Sequence, residues 1–555
     1  MKPFIQKNHR LLFYFSLLLL GIIQARFTEL QDDEAYYWVY SKFPDWGYFD
    51  HPPMIAILVK MGYALFPNEL GVRLFPLLLT ILSLVIIEDL TGKKNSPLFY
   101  TLILSLGILQ LGGFMAAPDI PLIFFTALFF RCYKSFITTF SLSHTFLLGL
   151  SVALLLYSKY HAILIVFFVL LSDIKLLTRY QVYLVLLIAL LLFSPHLWWQ
   201  YQHDWISIRY HLFENKVNDY KISFTLSYFL GQLLIQGPFA GFILLPAAFL
   251  YKPKNQVERA LYFTMAGFYA FFLFSSFRGK VEANWTSPVL VPVILLSFQF
   301  LQVKNKWQLV LRRLLPLTLV IVLFARAVML FDILPVKKIV FRFHSWKTWP
   351  QEMKKITRGL PVVFNNSYQR ASKYWFYTGQ RTYSLNYYHW RMNNYNYWPV
   401  EDSILGKPAF YLDIRSPFQF RDSLKYPLGY IVYKYDSCFA SYAKIKVRVL
   451  PEKPVVVQGD SLTLRCWFDI PPLYGAFIKN HPPVNDTIRI GVFTGKKWIK
   501  DIFTGLSLRQ INERPQAELR FNPGITKGKY EMRFAINTGI YTPTHNSDKI
   551  ELVIK

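Results

Sequence analysis

The sequence predicts a polytopic α-helical membrane protein that carries a C-terminal α/β region and a β-sandwich. Three observations predict it. Hydrophobic residues make up 53% of the 555 positions and aromatics 18%, with a mean hydropathy of +0.27. This apolarity is concentrated in the first ~330 residues, where windows of about 20 apolar residues recur, the length a ~30 Å hydrocarbon core requires. Beyond about residue 443 the apolar period falls to two, as in half-buried strands.

The first window, Leu11–Ala25, follows Lys2, Lys7 and Arg10. It has the flanks of a signal peptide, but no small-residue cleavage site follows, and a polar motif begins at once. It is therefore expected as a retained helix. About eleven spans follow from hydropathy: 10–28, 69–90, 97–115, 119–137, 144–158, 160–173, 181–198, 224–250, 258–276, 284–302 and 313–332. The fifth and sixth are short and are separated by "YSKYH", so a single long helix is the alternative there.

The formal net charge is +28. In a soluble chain this would suggest nucleic acid. In a membrane chain it matches cationic inner loops and anionic lipid, and part of it suits a phosphate-bearing substrate. With the N-terminus inside, the inner segments hold roughly 16 Lys and Arg against roughly 9 in the outer loops. An odd span count then puts the C-terminal part outside. There, Cys438 and Cys466 could pair in an oxidising compartment, whereas Cys132 lies in a helical region.

The expected domains are 1–335, a transmembrane domain; 336–442, a small α/β domain rich in polar and aromatic runs; and 443–555, the β-sandwich, from strands such as "AKIKVRVL", "SLTLRCWFDI" and "KYEMRFAI".

Four unusual stretches fall in outer loops. They are "DDEAYYWVYSKFPDWGYFDHPP", "MAAPDIP", "SPHLWWQYQHDW" and "FRGKVEANW". Ordinary loops would scatter such residues over both faces, so their convergence marks a candidate site. Asp33 and Glu34 open the first loop, and desolvated carboxylates make useful bases. The alternative is a solvated loop charge. The aromatics behind them suit either a membrane belt or a sugar. Asp50 and His51 precede two prolines, which suit a helix start, where an anion is favoured. A helix cap is the plainer role. Asp119 lies at the outer mouth of two spans, where an acid is costly unless it is used or paired. As a helix cap it would be unremarkable. Arg278 and Lys280 are cations on the outer side, able to meet a phosphate or to snorkel, with Glu282, Asn284 and Trp285 beside them. His196 belongs to the third stretch, and Lys159 and Tyr160 sit at the break between the short spans.

Together these residues fit one chemistry. An acid activates an acceptor hydroxyl, a lipid-linked sugar presents its anomeric carbon, and cations stabilise the departing phosphate. A single in-line displacement would invert the anomeric centre. Two other classes stay open. A transporter or lipid-linked glycan flippase would place its polar groups at the bilayer midplane on repeated, broken helices, and no repeat is evident. A non-catalytic glycan-binding membrane protein would use the sandwich.

The stretches "DDEAYYWVYS…WGYFDHPPMIAIL", "APDIPLIFF", "SPHLWWQ" and "KVEANW" resemble the bacterial membrane glycosyltransferases related to protein O-mannosyltransferases and to the aminoarabinose transferase of lipid A. The resemblance spans about residues 10–410 and excludes the sandwich. It implies a GT-C fold like that of glycosyltransferase family 39, in the bacterial inner membrane, with a periplasmic site and periplasmic C-terminal domains. It also implies a polyprenyl-phosphate sugar donor and an envelope acceptor, whether protein, lipid A or another glycan. By the match Asp33 is the catalytic acid with Glu34 beside it, Asp119 is the second outer-loop acid, and His51 and Lys280 contact the donor phosphate. The aminoarabinose branch has Lys-Pro-Pro where this chain has His51-Pro52-Pro53. No obligatory metal is expected, because the lipid phosphate brings its own leaving group; a divalent cation such as Mg²⁺ or Mn²⁺ stays open.

Overall fold

The structure, a computed structural model, describes residues 2–214, 220–413, 422–481, 486–495, 497–538 and 542–555. The chain divides into two compact units, Met1–His344 and Ser345–Lys555.

The first unit is helical. Its elements are α1 (Lys2–Phe27), α2 (Asp32–Lys42), α3 (Met54–Leu65), α4 (Glu69–Leu90), α5 (Ser96–Ser105), α6 (Gly107–Gly112), α7 (Asp119–Thr139), α8 (Leu142–Ser158), α9 (Ala162–Ser172), α10 (Tyr180–Gln202), α11 (Ile206–Arg209), α12 (Ile222–Gln236), α13 (Gly241–Leu250), α14 (Gln256–Ser276), α15 (Leu290–Val303), α16 (Asn305–Leu330) and α17 (Lys337–Phe343). A 3₁₀ segment, Ala283–Val289, leads into α15. Polar residues start the helices where the sequence supplies them. The side chains of Asn68, Ser141 and Asn255 accept from backbone N–H groups in the first turns of α4, α8 and α14. Buried Leu, Phe and Val from α5, α7, α9, α14 and α15 form one continuous core. Leucine and phenylalanine also face outward along α1, α10, α12 and α16, as helices in lipid require.

Among the described residues, six helices are long and apolar enough to cross a membrane, and a seventh span arises if α12 and α13, bent by 98°, count as one. The expected eleven is higher for identifiable reasons. The 97–115 window breaks at Leu106 into α5 and α6. The helices α3, α5, α8 and α9 are apolar but only 10–17 residues long, and α14 has the length without the apolarity. Gly237 makes the bend between α12 and α13: its φ is +144°, and a Cβ there would meet the Ser105 carbonyl oxygen at 2.5 Å. The chain is thus a polytopic helical membrane protein with a sheet-rich C-terminal unit.

The second unit begins a little after the composition break at Pro335 and holds three sheets. Strands β1 (Val362–Asn365), β2 (Thr382–Leu385), β3 (Ala409–Asp413), β4 (Asp422–Tyr426) and β5 (Gly429–Asp436) make a mixed sheet in the order β2-β1-β3-β5-β4. The rest alternates in burial and forms two sheets. One is β11-β8-β6, from Gln516–Phe521, Leu462–Asp469 and Lys446–Leu450. The other is β10-β9-β12-β13-β7, from Lys497–Ser507, Thr487–Thr494, Gly528–Ile536, Ile550–Ile554 and Val455–Val456. They share a core that includes Leu464, Phe468, Ile488, Ile490, Val492 and Phe534. Cys438 and Cys466, which could pair in an oxidising compartment, are not joined. Both are free thiols packed against this same core as small apolar groups.

Candidate functional site

The first outer segment is not an open loop. Its three acids begin a helix, where the positive end of the helix dipole favours them. The two central acids then part company. Asp33 is exposed. Glu34 is 2% exposed, and its oxygens accept from Arg73 Nε at 2.7 Å and Arg73 Nη2 at 2.5 Å. They also accept from the backbone N–H of Gln31 at 2.8 Å and of Ala116 at 2.9 Å. Arg73 has no exposed surface and also donates to the carbonyls of Ala25, Thr28 and Glu29. Glu34 therefore ties the α1–α2 turn, α4 and the loop before α7 into one junction.

The aromatics behind the acids turn inward. Tyr36, Tyr37, Trp38 and Tyr40 are buried, and Tyr40 stacks on Tyr48 with centroids 4.1 Å apart. They form a core under the segment rather than a surface for a sugar; Trp46, 54% exposed, is the exception among the tryptophans here. Asp50 is buried too, with the hydroxyls of Tyr36 and Tyr40 each 3.4 Å from its Oδ2. Three alternate carbonyls fasten the rest of the segment. Trp46 accepts from His196 Nδ1 at 2.7 Å, Tyr48 from Ser207 Oγ at 2.9 Å and Asp50 from His211 Nε2 at 3.1 Å. Since His196 Nδ1 donates, its Nε2 is the acceptor toward the Tyr160 hydroxyl and Gln200 Nε2, both at 3.3 Å. Gly47 lets Trp199 lie against this segment, because a Cβ there would come within 2.4 Å of the indole.

His51 shares a 3.3 Å hydrogen bond with the Tyr37 hydroxyl through Nε2, and its enclosed Nδ1 has no hydrogen-bond partner among the described residues. Burial pushes its imidazole down to about 3, against the opposing pull of Asp50; Lys159, His211 and Asp119 also lie within electrostatic reach. Burial thus favours the neutral form of His51.

Asp119 is the second junction. It accepts from Lys159 Nζ at 2.8 Å, Ser287 Oγ at 2.6 Å and Asn284 Nδ2 at 3.0 Å. Three segments meet there: the start of α7, the break between α8 and α9, and the 3₁₀ turn before α15. Lys159, at the break between the two short spans, is 6% exposed and committed to Asp119. Beside it Trp285 and Phe272 enclose His161, with ring centroids 5.9 and 5.2 Å away.

The structure thus gathers Asp33, Glu34, Asp50, His51, Asp119, Lys159, Tyr160, His196, Asn284 and Trp285 at linked segments. It leaves Arg278, Lys280 and Glu282 outside the cluster: Arg278 is exposed, and Lys280 pairs with Glu282 at 2.8 Å with both side chains more than half exposed. Sequence reasoning missed Arg73, Ser287, His161 and His211. An arginine inside an apolar segment does signal a buried partner, so Arg73 was detectable. Ser287 carries no such signal. Among the described residues, no three His, Cys, Asp or Glu side chains converge as metal ligands.

The comparisons with known proteins agree with this architecture. Residues 50–199 match the family model of dolichyl-phosphate-mannose-protein mannosyltransferases. The lipid A galacturonosyltransferase RgtD of Rhizobium johnstonii is 24% identical over 308 residues, 52% of this chain and 64% of the relative, so the chain spans under two thirds of that protein's length. Crystal structures of ArnT from Cupriavidus metallidurans superpose with TM-scores of 0.55 in the apo state and 0.54 bound to undecaprenyl phosphate, each at 13% identity. They cover 74% and 76% of this chain and 94% and 97% of the ArnT chains. The chain shares its fold with the ArnT structures, and its residues 50–199 are similar to the mannosyltransferase family.

Proposed function

We propose that the protein transfers a sugar from a polyprenyl-phosphate donor to an envelope acceptor at the outer face of the bacterial inner membrane, with the C-terminal unit in the periplasm. The observation that carries this reading is that α2 presents one exposed carboxylate, Asp33, while its neighbour Glu34 is tied to the loop before α7, where Asp119 holds Lys159 and Asn284. The names of the relatives, a lipid A galacturonosyltransferase and an ArnT crystallised with undecaprenyl phosphate, support the donor and acceptor classes.

Asp33 takes the proton of the acceptor hydroxyl. The acceptor oxygen bonds to the anomeric carbon as the bond from that carbon to the phosphate oxygen breaks, and the electron pair leaves on the polyprenyl phosphate. One displacement inverts the centre. His51 through its Nδ1, and Lys159 from its junction with Asp119, would receive the phosphate by hydrogen bonding. Glu34, engaged on both oxygens, holds the helix that presents Asp33. Lys280 and Arg278, being exposed, attract the anionic donor rather than complete the inner site. No step uses a metal.

Mass spectrometry of lipids co-purified with wild type and Asp33→Asn, followed by addition of envelope acceptors, tests the reading. A polyprenyl-phosphate sugar retained by the variant and consumed by wild type supports it. The reading fails if neither protein holds such a lipid and the two behave alike.

A further inference from the structure

One face of the C-terminal unit has chemistry that the transfer site does not use. The sheet β10-β9-β12-β13-β7 turns Ile488, Ile490 and Val492 into the sandwich core, so the alternate residues of β9 face the other way. The register places Trp498 beside Phe493, Asp501 beside Gly491 and Phe503 beside Arg489, all on that outer face. Segment 387–390 covers part of it. Tyr388 lies against Gly491, where a Cβ would meet its ring at 2.4 Å, and a small buried cluster forms from Tyr388, Phe493 and Ala535.

Above this cluster the aromatic rings stay in water. Trp498 is 45% exposed, Trp390 54% and Phe503 65%. They are held rigidly. Trp498 Nε1 donates to Asp501 Oδ1 at 3.0 Å, the Tyr388 hydroxyl donates to the same oxygen, and Arg489 Nη1 donates to Oδ2 at 2.9 Å. The Arg489 guanidinium sits 5.2 Å from the Phe503 centroid, and the His389 ring lies 5.7 Å from that of Trp498, inclined by 32°. Phe493 and Arg489 are four residues apart on β9, so Trp498 and Phe503 stand roughly 13 Å apart along the sheet.

We infer that this face is an oligosaccharide-binding platform in which Trp498 and Phe503 stack on pyranose rings two to three residues apart along one glycan chain. A membrane-anchoring patch would also expose aromatics, but an interfacial tryptophan keeps its N–H toward the wet headgroups. Here the indole N–H points inward to Asp501, and the ring face is what remains exposed. On this face Arg489 and Asp501 compensate each other. The separation of the rings suits a chain of sugars rather than a single residue. The platform would hold a glycan without acting on it, and it does not depend on the transferase reading.

The test is saturation-transfer NMR on the full-length protein in lipid nanodiscs, with chitotriose, maltotriose and trigalacturonate as probes. Wild type and Asp33→Asn should both transfer saturation to the ring protons of at least one probe. Trp498→Ala and Phe503→Ala should each weaken that binding about tenfold, the loss that ~1.4 kcal/mol of ring contact represents. Trp498→Phe should retain most of it. Thermal unfolding of Phe503→Ala should match wild type, because that residue is 65% exposed. Two outcomes overturn the inference: equal transfer, or none, in wild type and Trp498→Ala; or quenching of Trp498 fluorescence by brominated lipid in the nanodisc, which would make the face a membrane anchor.

Discussion

Asp33 and Glu34 are neighbours in sequence but should respond oppositely to the same chemical change. Glu34→Gln removes one charge from a pair that is almost wholly desolvated, leaving Arg73, with no exposed surface, next to a neutral amide. Breaking a buried pair on one side costs about 3–5 kcal/mol, because the remaining charge is uncompensated. The amide also presents an N–H₂ toward Arg73 or toward the N–H of Gln31 or Ala116, all donors. Asp33→Asn alters an exposed helix-start residue and should change stability by less than about 1 kcal/mol. Its transfer rate should fall by ~10²–10⁴-fold, the usual contribution of a general base. Thermal unfolding in detergent and turnover of the co-purified donor separate the two effects. Glu34→Gln should unfold early and lose activity in proportion to folded protein; Asp33→Asn should unfold normally and be inactive. A Glu34→Gln protein of normal stability and no activity would refute the structural assignment, and a fully active Asp33→Asn would refute the catalytic one.

Other expectations follow from the same contacts. Lys159→Met should leave Asp119 with only Asn284 and Ser287, weakening both folding and donor retention; Lys159→Met with Asp119→Asn should recover folding in a thermal melt but not turnover. Gly47→Val should displace Trp199 and loosen the Trp46–His51 segment, seen as faster amide exchange there with the C-terminal unit unchanged. Turnover should survive chelator; loss of activity that Mg²⁺ or Mn²⁺ restores would overturn the metal-free step. The C-terminal unit should lose stability as pH falls from 7 to 5. Burial pushes the His545 imidazole well down, Arg533, Lys446 and Lys549 push the same way, and burial takes His389 to about 4. The unfolded chain binds these protons below about 6.5 and the folded one does not, so stability present above that pH is lost on acidification. A His545→Asn protein whose melting temperature keeps the full pH slope would contradict this.

Part of the site's convergence was legible before any tertiary contact was known. Hydropathy alternation groups "DDEAYYW", "APDIP", "SPHLWWQ" and "EANW" together, and contacts of Glu34 with the Ala116 N–H, Trp46 with His196 and Asp119 with Asn284 join them in pairs. The strands of the sandwich were legible because burial on one face imposes a period of two. What the sequence misjudged was the depth of individual side chains. The tyrosines of the first segment read as a surface because an interfacial belt and a local core have the same composition. Lys280 read as a phosphate ligand, yet its chain neighbour Glu282 takes it.

The sequence by itself determined the membrane class, the sheet-rich C-terminal unit and the end of the bundle where the chemistry gathers, since these follow from local apolar period and charge bias. Only the tertiary structure decided which acid stays exposed. Arg73, 39 residues from Glu34, and Lys159, 40 residues from Asp119, select their partners by burial. A charge out of water must find its counter-charge wherever the packing brings one, and no local spacing records that choice.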